Sequence, residues 1–551
     1  MIRSQLKNLL DQCFQQGVGQ GLWSDAAAGL YNLETPRHEG QGDFATNFAM
    51  IVAGKERRKP RDVAEQLAAM LRQDAALLEK VEIAGPGFVN LFLNPTVWSS
   101  VLAPIAEQGG QFGLCDLGKG MKVMVEFVSA NPTGPLTVGH GRNAVLGDAV
   151  ARLLTAAGYD VTREYYFNDA GRQMRVLGQS LKARYLEKLG LPNEFPEDGY
   201  QGGYMHEIAQ GMIDEAGDGF KDADLDVFRQ RAQDAIFADI DATLKRIGIC
   251  FDSYYNERDL YEKGLIEDVV NALRAKGLVY EQEGATWFKT TEFGQAQDRV
   301  IIKNTGEPTY RLPDIAYHRE KFRRGFERMI NVFGADHIAT VPDVLAGVEA
   351  LGYDKSKVDV LMYQFVTLLR GGKQVKMSTR KASYITVDEL VDEVGIDAFR
   401  FFFLMRKSDS QLEFDLELAK AQSQENPVYY VQYAHARLCS IERLAEERGI
   451  ALPEPAGTDL SLLQEAEEYQ LLKTLAAYPG LVADAAEALA PHRLIFFLME
   501  LAGQFHSFYN KHKVMTEEAQ LTAARLCLCR GIRTALANGL ELVGVAAPER
   551  M

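Results

Sequence analysis

No run of about 20 apolar residues occurs, which is the length a helix needs to cross a bilayer, so no membrane span is expected. The opening stretch Met1-Ile2-Arg3-Ser4-Gln5-Leu6-Lys7 lacks the apolar centre of a signal peptide. Cysteine is scarce. The six, at positions 13, 115, 250, 439, 527 and 529, include no C-x-x-C pair. That excludes a disulfide framework and a cysteine zinc site, and no residue is assigned to a metal. A reducing cytoplasm is the setting expected. Positive charge is also short: 60 Lys and Arg stand against 76 Asp and Glu, a net charge of −16 with a pI near 5.2. Phosphate contacts need Lys and Arg, so the sum argues against a nucleic-acid partner. Binding follows the local field, however, and basic tracks exist at 55–61 (KERRKPR), 319–328 (REKFRRGFER) and 370–381.

The remaining composition, 47% hydrophobic and 25% charged, is that of an ordinary globular protein. A chain of 551 residues predicts three or four units at ~150 residues each. Residues 1–115 read as an α+β unit. Leu6, Leu9, Leu10, Cys13 and Phe14 fall at helical spacing, as do Val63, Leu67, Met70 and Leu71 after Pro60. Strands are expected at 81–83 and 88–93, and residues 42–47 read as a loop running into a helix. From 116 to 394 strands alternate with helices, which predicts a doubly wound, Rossmann-like parallel sheet with a mostly helical insertion near 170–250. Residues 161–167, 299–303 and 328–333 are its further expected strands. No G-x-G-x-x-G follows the first strand, which weakens a dinucleotide-oxidoreductase reading. From Gly395 to Met551 strand signals vanish and an all-α bundle is expected. Leu494, Phe497, Leu498, Leu501, Phe505 and Phe508 form one apolar helix face there, with breaks expected at Pro479-Gly480 and Ala490-Pro491.

The most informative stretch is 125–148, VEFVSANPTGPLTVGHGRNAVLGD. It opens as a strand, breaks at Asn131-Pro132-Thr133-Gly134-Pro135, and closes on Thr137-Val138-Gly139-His140 at the head of a helix. Free N–H groups at such a helix start make an anion site. A second stretch, 369–381, reads LRGGKQVKMSTRK.

Thr137 to His140 resembles the HIGH motif of class I aminoacyl-tRNA synthetases, and Lys376-Met377-Ser378-Thr379-Arg380 resembles their KMSKS loop. With residues 131–142, 164–173, 298–303, 310–318 (YRLPDIAYH), Asp397-Ala398-Phe399-Arg400 and 425–435 (ENPVYYVQYAH), the chain is similar along its whole length to arginyl-tRNA synthetases. The resemblance implies arginine activation by ATP with Mg²⁺ to the adenylate, generally with tRNA bound, then transfer to the terminal adenosine of the arginine tRNA. It implies catalytic His140 and Lys376, ATP contacts at Thr137, Gly139, His140, Lys376, Met377, Ser378 and Arg380, and arginine contacts at Glu126, Asn131, Tyr310, Asp314 and His337. It further implies tRNA contacts at Asn47 in an N-terminal tRNA-contacting domain and at Arg400 and Tyr433 in a DALR-type anticodon-binding bundle. Arg57 and Arg58, in the first basic track, are taken as tRNA contacts as well, and a monomer is expected. A guanidinium offers five donors in a rigid fork, so carboxylates should read it. Thr137 and Thr379 stand where the motifs carry a first histidine and a second lysine, which shifts the burden to His140 and Lys376. The other readings are a nucleotidyltransferase, to which the bundle is foreign, a cysteinyl-type synthetase, which would need clustered metal ligands, and a tRNA-binding paralogue without catalysis.

Overall fold

In the strand Lys122–Glu126 the residues Val123, Met124, Val125 and Glu126 are all buried, on both faces, the signature of a central strand in a covered parallel sheet. The computed structural model, which describes all residues except 1, 37, 39, 170 and 376–384, places it there. Five strands pair in parallel in the order Val358–Tyr363, Arg328–Gly334, Lys122–Glu126, Asp160–Phe167, Ser253–Asn256. The chain runs outward from Lys122–Glu126 on one side, then returns to build the other. The direction reverses between Lys122–Glu126 and Arg328–Gly334, the place where such sheets bind ligands.

The helix Val138–Ala156 covers this reversal. A Cβ at Gly147 would stand 2.2 Å from Cγ of Phe127, so glycine there permits the close approach of helix and strand. The stretch read as a helical insertion near 170–250 holds the helices Gly171–Lys188, Gly203–Ala216 and Leu225–Arg246, which connect Asp160–Phe167 to its parallel neighbour Ser253–Asn256.

Four expectations are corrected. Residues Arg299–Ile302 do not rejoin the parallel sheet. They edge a separate antiparallel sheet with Ala285–Phe288 and Val279–Gln282. A four-residue apolar run cannot reveal its partner, and here a local hairpin supplied one: both its turn residues, Glu283 and Gly284, have positive φ, as a tight hairpin turn needs. Strands do not end at Gly395, because Leu412–Asp415 pairs in parallel with Val366–Arg370. Pro479 lies inside the helix Ala466–Glu487 and divides nothing, whereas Pro491 does precede a new helix, His492–Lys511. Residues Phe44–Thr46, read as loop, pair with Phe88–Leu93 in the four-stranded antiparallel sheet of the N-terminal unit.

That unit packs the helix Ile2–Gly19 over an aromatic cluster of Phe14, Trp23, Tyr31 and Phe48. At the other end of the chain, the expected stripe on His492–Lys511 is buried throughout.

Candidate active site

After Glu126 the backbone turns sharply. Val128 and Ser129 have φ of 63° and 42°. A β-branched residue in the left-handed region stores strain of order 1–3 kcal/mol, and such strain clusters at functional sites. Buried Asn143 holds the turn: its Oδ1 accepts from Val128 N–H at 2.7 Å and its Nδ2 donates to Val332 O at 3.0 Å. The amide thereby ties together the two strands that flank the reversal.

Thr137 caps the helix Val138–Ala156. Nδ1 of His140, three residues on, lies 3.2 Å from Thr137 N and 3.1 Å from Thr137 Oγ1. The imidazole occupies the place a glutamate takes in a capping box. A ring whose Nδ1 accepts a backbone N–H must, when neutral, carry its proton on Nε2. Burial holds the His140 pKa below its ordinary value, against the pull of nearby Asp336, so the neutral donor form prevails. Nε2 has no hydrogen-bond partner among the described residues. Gly139 is open: a Cβ there would meet nothing nearer than Thr137 Oγ1 at 3.9 Å. Across the crevice, beyond Gly334, His337 is exposed and stacks on Phe333 with ring centroids 5.3 Å apart.

A cavity of about 930 Å³ opens beside the crevice, lined among others by Gln173, Glu257, Tyr261, Tyr310 and Pro313. Tyr310 is 78% exposed at the start of the helix Arg311–Arg323. One turn in, Asp314 has its pKa pushed up to about 7, first by burial, then by Glu126 and Glu257. Glu257 is also pushed up to about 7, by burial and then by Asp169. Among the described residues neither carboxyl has a cation within ion-pair distance, while the neighbouring acids do. Glu126 accepts from buried Lys321 at 2.6 Å and from Ser129 at 3.2 Å, and Glu164 is gripped by Arg324. Lys321 continues to Asn331, Asn331 to His318, and His318 Nδ1 lies 2.8 Å from Asp314 O, so the floor of the pocket is one connected polar network. Asn131 lies at its edge, bonded to Gln173 at 2.9 Å.

Thr137, Gly139 and His140 stand at the head of the helix at the reversal, with His337 beyond the neighbouring strand. Of the expected arginine contacts only Tyr310 lines the cavity; Asn131 bonds its lining residue Gln173, and Glu126 and Asp314 belong to the buried network beside it. Glu126 enters with its charge already matched by Lys321. Lys376, Met377, Ser378, Thr379 and Arg380 lie outside the described residues. The chain on their far side is stitched to the His140 loop, with Val138 N–H on Ile385 O at 3.3 Å and Val387 N–H on Leu136 O at 2.8 Å. Glu257 was missed. No motif contains it, and the only signal was the rule that ligands sit at carboxyl ends of parallel strands, which required recognising Ser253–Asn256 as a strand.

The expected tRNA contacts divide. Arg57 is exposed. Asn47 is half-buried and accepts from Asn32 N–H at 2.7 Å. Tyr433 stacks on Tyr429 and on His506, with Arg437 over its ring at 4.7 Å. Two are corrected. Arg58 turns inward to Leu22 O and Gln66, at 2.6 and 3.1 Å. Arg400 is fully buried, bonded to Asp148 Oδ2 at 2.5 Å, Ile247 O at 2.9 Å and Val543 O at 3.1 Å, and cannot reach a phosphate. Within the basic run 319–328, Lys321 is paired with Glu126, Arg324 with Glu164 and Arg328 with Asp359.

A nucleotide-type crevice at the reversal of a parallel sheet, with a histidine in the first turn of the covering helix and a C-terminal bundle, defines a class I aminoacyl-tRNA synthetase. The family description "tRNA synthetases class I (R), catalytic domain" matches residues 105–411, "Arginyl tRNA synthetase N terminal domain" matches 2–93, and "DALR anticodon binding domain" matches 431–551. The arginine–tRNA ligase of Desulfotalea psychrophila is 62% identical over 552 residues, covering 100% of both chains. That of Salinibacter ruber is 50% identical, covering 94% of this chain and 95% of its own. The fold is shared with the arginyl-tRNA synthetase of Thermus thermophilus, at a TM-score of 0.75 and 23% identity over 100% of both chains. The chain belongs to the arginyl-tRNA synthetase family, whose members are arginine–tRNA ligases, and its class I catalytic domain implies use of ATP. An enzyme is favoured over an inactive tRNA-binding paralogue. No helix among the described residues is long and apolar enough to cross a membrane.

Proposed function

We propose that this chain activates arginine with ATP, releasing pyrophosphate, and passes the arginyl group to the terminal adenosine of its tRNA. The observation that supports the residue assignment is that Glu257 lines the cavity and Asp314 directly follows its lining residue Pro313, and that among the described residues neither carboxyl has a cation within ion-pair distance. An arginine side chain brings the missing charge and a fork of donors that suits two acceptors. Tyr310 at the mouth is placed to cover it, and Asn131 and Glu126 lie toward the substrate's carboxylate and amino end. That carboxylate attacks the α-phosphorus of ATP in the crevice. His140 then donates from Nε2 to the charge growing on the phosphates, Gly139 leaves room for them, and His337 faces them. Lys376, Met377, Ser378 and Arg380 complete the phosphate site by motif. ATP enters with Mg²⁺ on its phosphates. Asn47, Arg57 and the Tyr433 stack are the surfaces offered to tRNA, since aromatic faces and exposed guanidinium groups suit unstacked bases and backbone. The division at 1–115, 116–394 and 395–551, a monomeric state and a cytoplasmic location complete the reading.

ATP–pyrophosphate exchange with each amino acid, with and without arginine tRNA, tests it. Arginine alone should support exchange, and only with tRNA present. Exchange driven equally by another amino acid refutes the pocket assignment, and full exchange without tRNA refutes the dependence.

A further inference from the structure

Arg142 lies two residues beyond His140 on the same helix and is 1% exposed. Among the described residues its guanidinium meets no carboxylate within ion-pair distance. It donates instead to three backbone carbonyls: Gln364 O at 2.6 Å, Ser410 O at 2.9 Å and Lys407 O at 3.2 Å. Burial lowers its pKa only to about 10, so it stays charged at neutral pH. A buried cation held only by carbonyl dipoles is a costly way to fill space, and apolar packing of similar volume often serves as well or better. The acceptors account for its presence. Gln364 immediately follows the parallel strand Val358–Tyr363 and precedes Val366–Arg370. Ser410 precedes Leu412–Asp415, which pairs with Val366–Arg370 beginning at Val366 and Leu412. Gln364 and Ser410 thus each lie two residues before the first paired residue of their strands, Lys407 O lies in the loop just before Ser410, and Gln364 N–H closes the corner on Ser408 O at 3.0 Å. One side chain therefore fixes the common origin of both strands to the first turn of the His140 helix. Tyr363, at the end of the parallel strand, and Asp336, across the crevice, both belong to the same neighbourhood.

We propose that Arg142 is a positioning residue for ATP. It sets the separation between the two walls of the nucleotide crevice, the His140 helix and the Gln364 corner, without touching substrate. The proposal rests on the assignment of His140 to the ATP phosphates made above. A misplacement of about 1 Å in such a site costs up to about 10²-fold in rate. The arginine pocket lies on the other flank of the reversal and is not held by these bonds.

The test is aminoacylation at saturating tRNA, with kcat and KM resolved for ATP and for arginine. Arg142→Met should lower kcat/KM for ATP by about 100-fold and leave the arginine KM within about twofold, and Arg142→Lys, which keeps the charge and part of the bonding, should fall between. If Arg142→Met does not fold, Arg142→Lys carries the same split. His140→Ala combined with Arg142→Met should cost about as much as His140→Ala alone, because Arg142 acts through the placement of His140. Equal loss for both substrates, or costs that multiply in the double variant, overturns the proposal. If His140→Ala alone leaves ATP turnover intact, the assignment of His140 fails, and the split between the two KM values then decides the role of Arg142 separately.

Discussion

Asp314 and Glu257 each carry a carboxyl pushed up to about 7, chiefly by burial. Unfolded, both titrate near about 4. Their folded pKa is raised, so the folded protein holds extra protons between about pH 4 and about pH 7, and the stability this contributes is lost as pH rises through about 7. A bound guanidinium reverses the preference, because it favours the ionised form. Arginine binding should therefore release protons near pH 6, and the arginine KM should fall as pH rises from about 6 to about 8. Asp314→Asn should raise the arginine KM at least about tenfold, leave the ATP KM nearly unchanged and flatten that pH profile, since a charge-assisted bond contributes ~1.5–3 kcal/mol. Glu257→Gln should do the same. Equal movement of both KM values would mean the two acids only support the fold. Of this pair the sequence revealed Asp314 through its motif. Glu257 stands in Asn256-Glu257-Arg258-Asp259 like any surface acid, and only the sheet brings it under the cavity.

The helix Val138–Ala156 is where pattern reading reaches its limit. Its apolar positions Ala144, Val145, Ala149, Leu153 and Leu154 fall at helical spacing, and all are buried. Its buried polar residues Arg142, Asn143 and Asp148 were not legible, because a periodic reading assigns polar residues to the solvent side. The alternation of strands and helices foretold the parallel sheet, yet the strand at 299–302 and the one at 412–415 depend on partners that no local pattern names. Asn143 gives a test at this scale. Asn143→Asp keeps an acceptor for Val128 N–H but turns an oxygen toward Val332 O, leaving an unmatched buried charge and carbonyl. A cost of about 1–3 kcal/mol per unmatched group predicts a clear fall in melting temperature and, as the strained Val128 turn loosens, a weaker ATP complex. Thermal shift with and without ATP measures both. A variant as stable as the parent and stabilised equally by ATP would show that the turn does not depend on this amide.

Across the whole molecule the same helix is joined to the bundle at Arg400. Its guanidinium lies where Asp148 meets the carbonyls of Ile247 and Val543, each just past the end of a helix, Leu225–Arg246 and Ala519–Leu542. Gly544 is required beside it, since a Cβ there would stand 2.1 Å from Nη2. Asp148 is shared with Arg152 at 2.7 Å and Arg163 at 3.6 Å. Asp397 completes the seam by accepting from Ala546 N–H and from Gln432. A protein with net charge −16 must attract tRNA through exposed basic groups, and Arg400 is not one of them. The two roles separate by salt. An arginine that touches phosphate steepens the log–log dependence of tRNA affinity on salt by roughly 0.7–0.9 units, and a buried one leaves it alone. Arg57→Ala should flatten the slope by about that amount while leaving the melting temperature unchanged. Arg400→Met should leave the slope unchanged and destabilise the chain by about 3–5 kcal/mol, as removing one partner of a buried pair does. Asp148→Asn should also destabilise, because Arg152 and Arg163 lose their shared carboxylate with it, and the double variant should cost less than the sum of the two by a coupling of ~0.5–3 kcal/mol, the size expected for residues in contact. Salt titration of tRNA binding beside thermal melting distinguishes the cases. A flattened slope in Arg400→Met with normal melting would place this arginine on the tRNA after all.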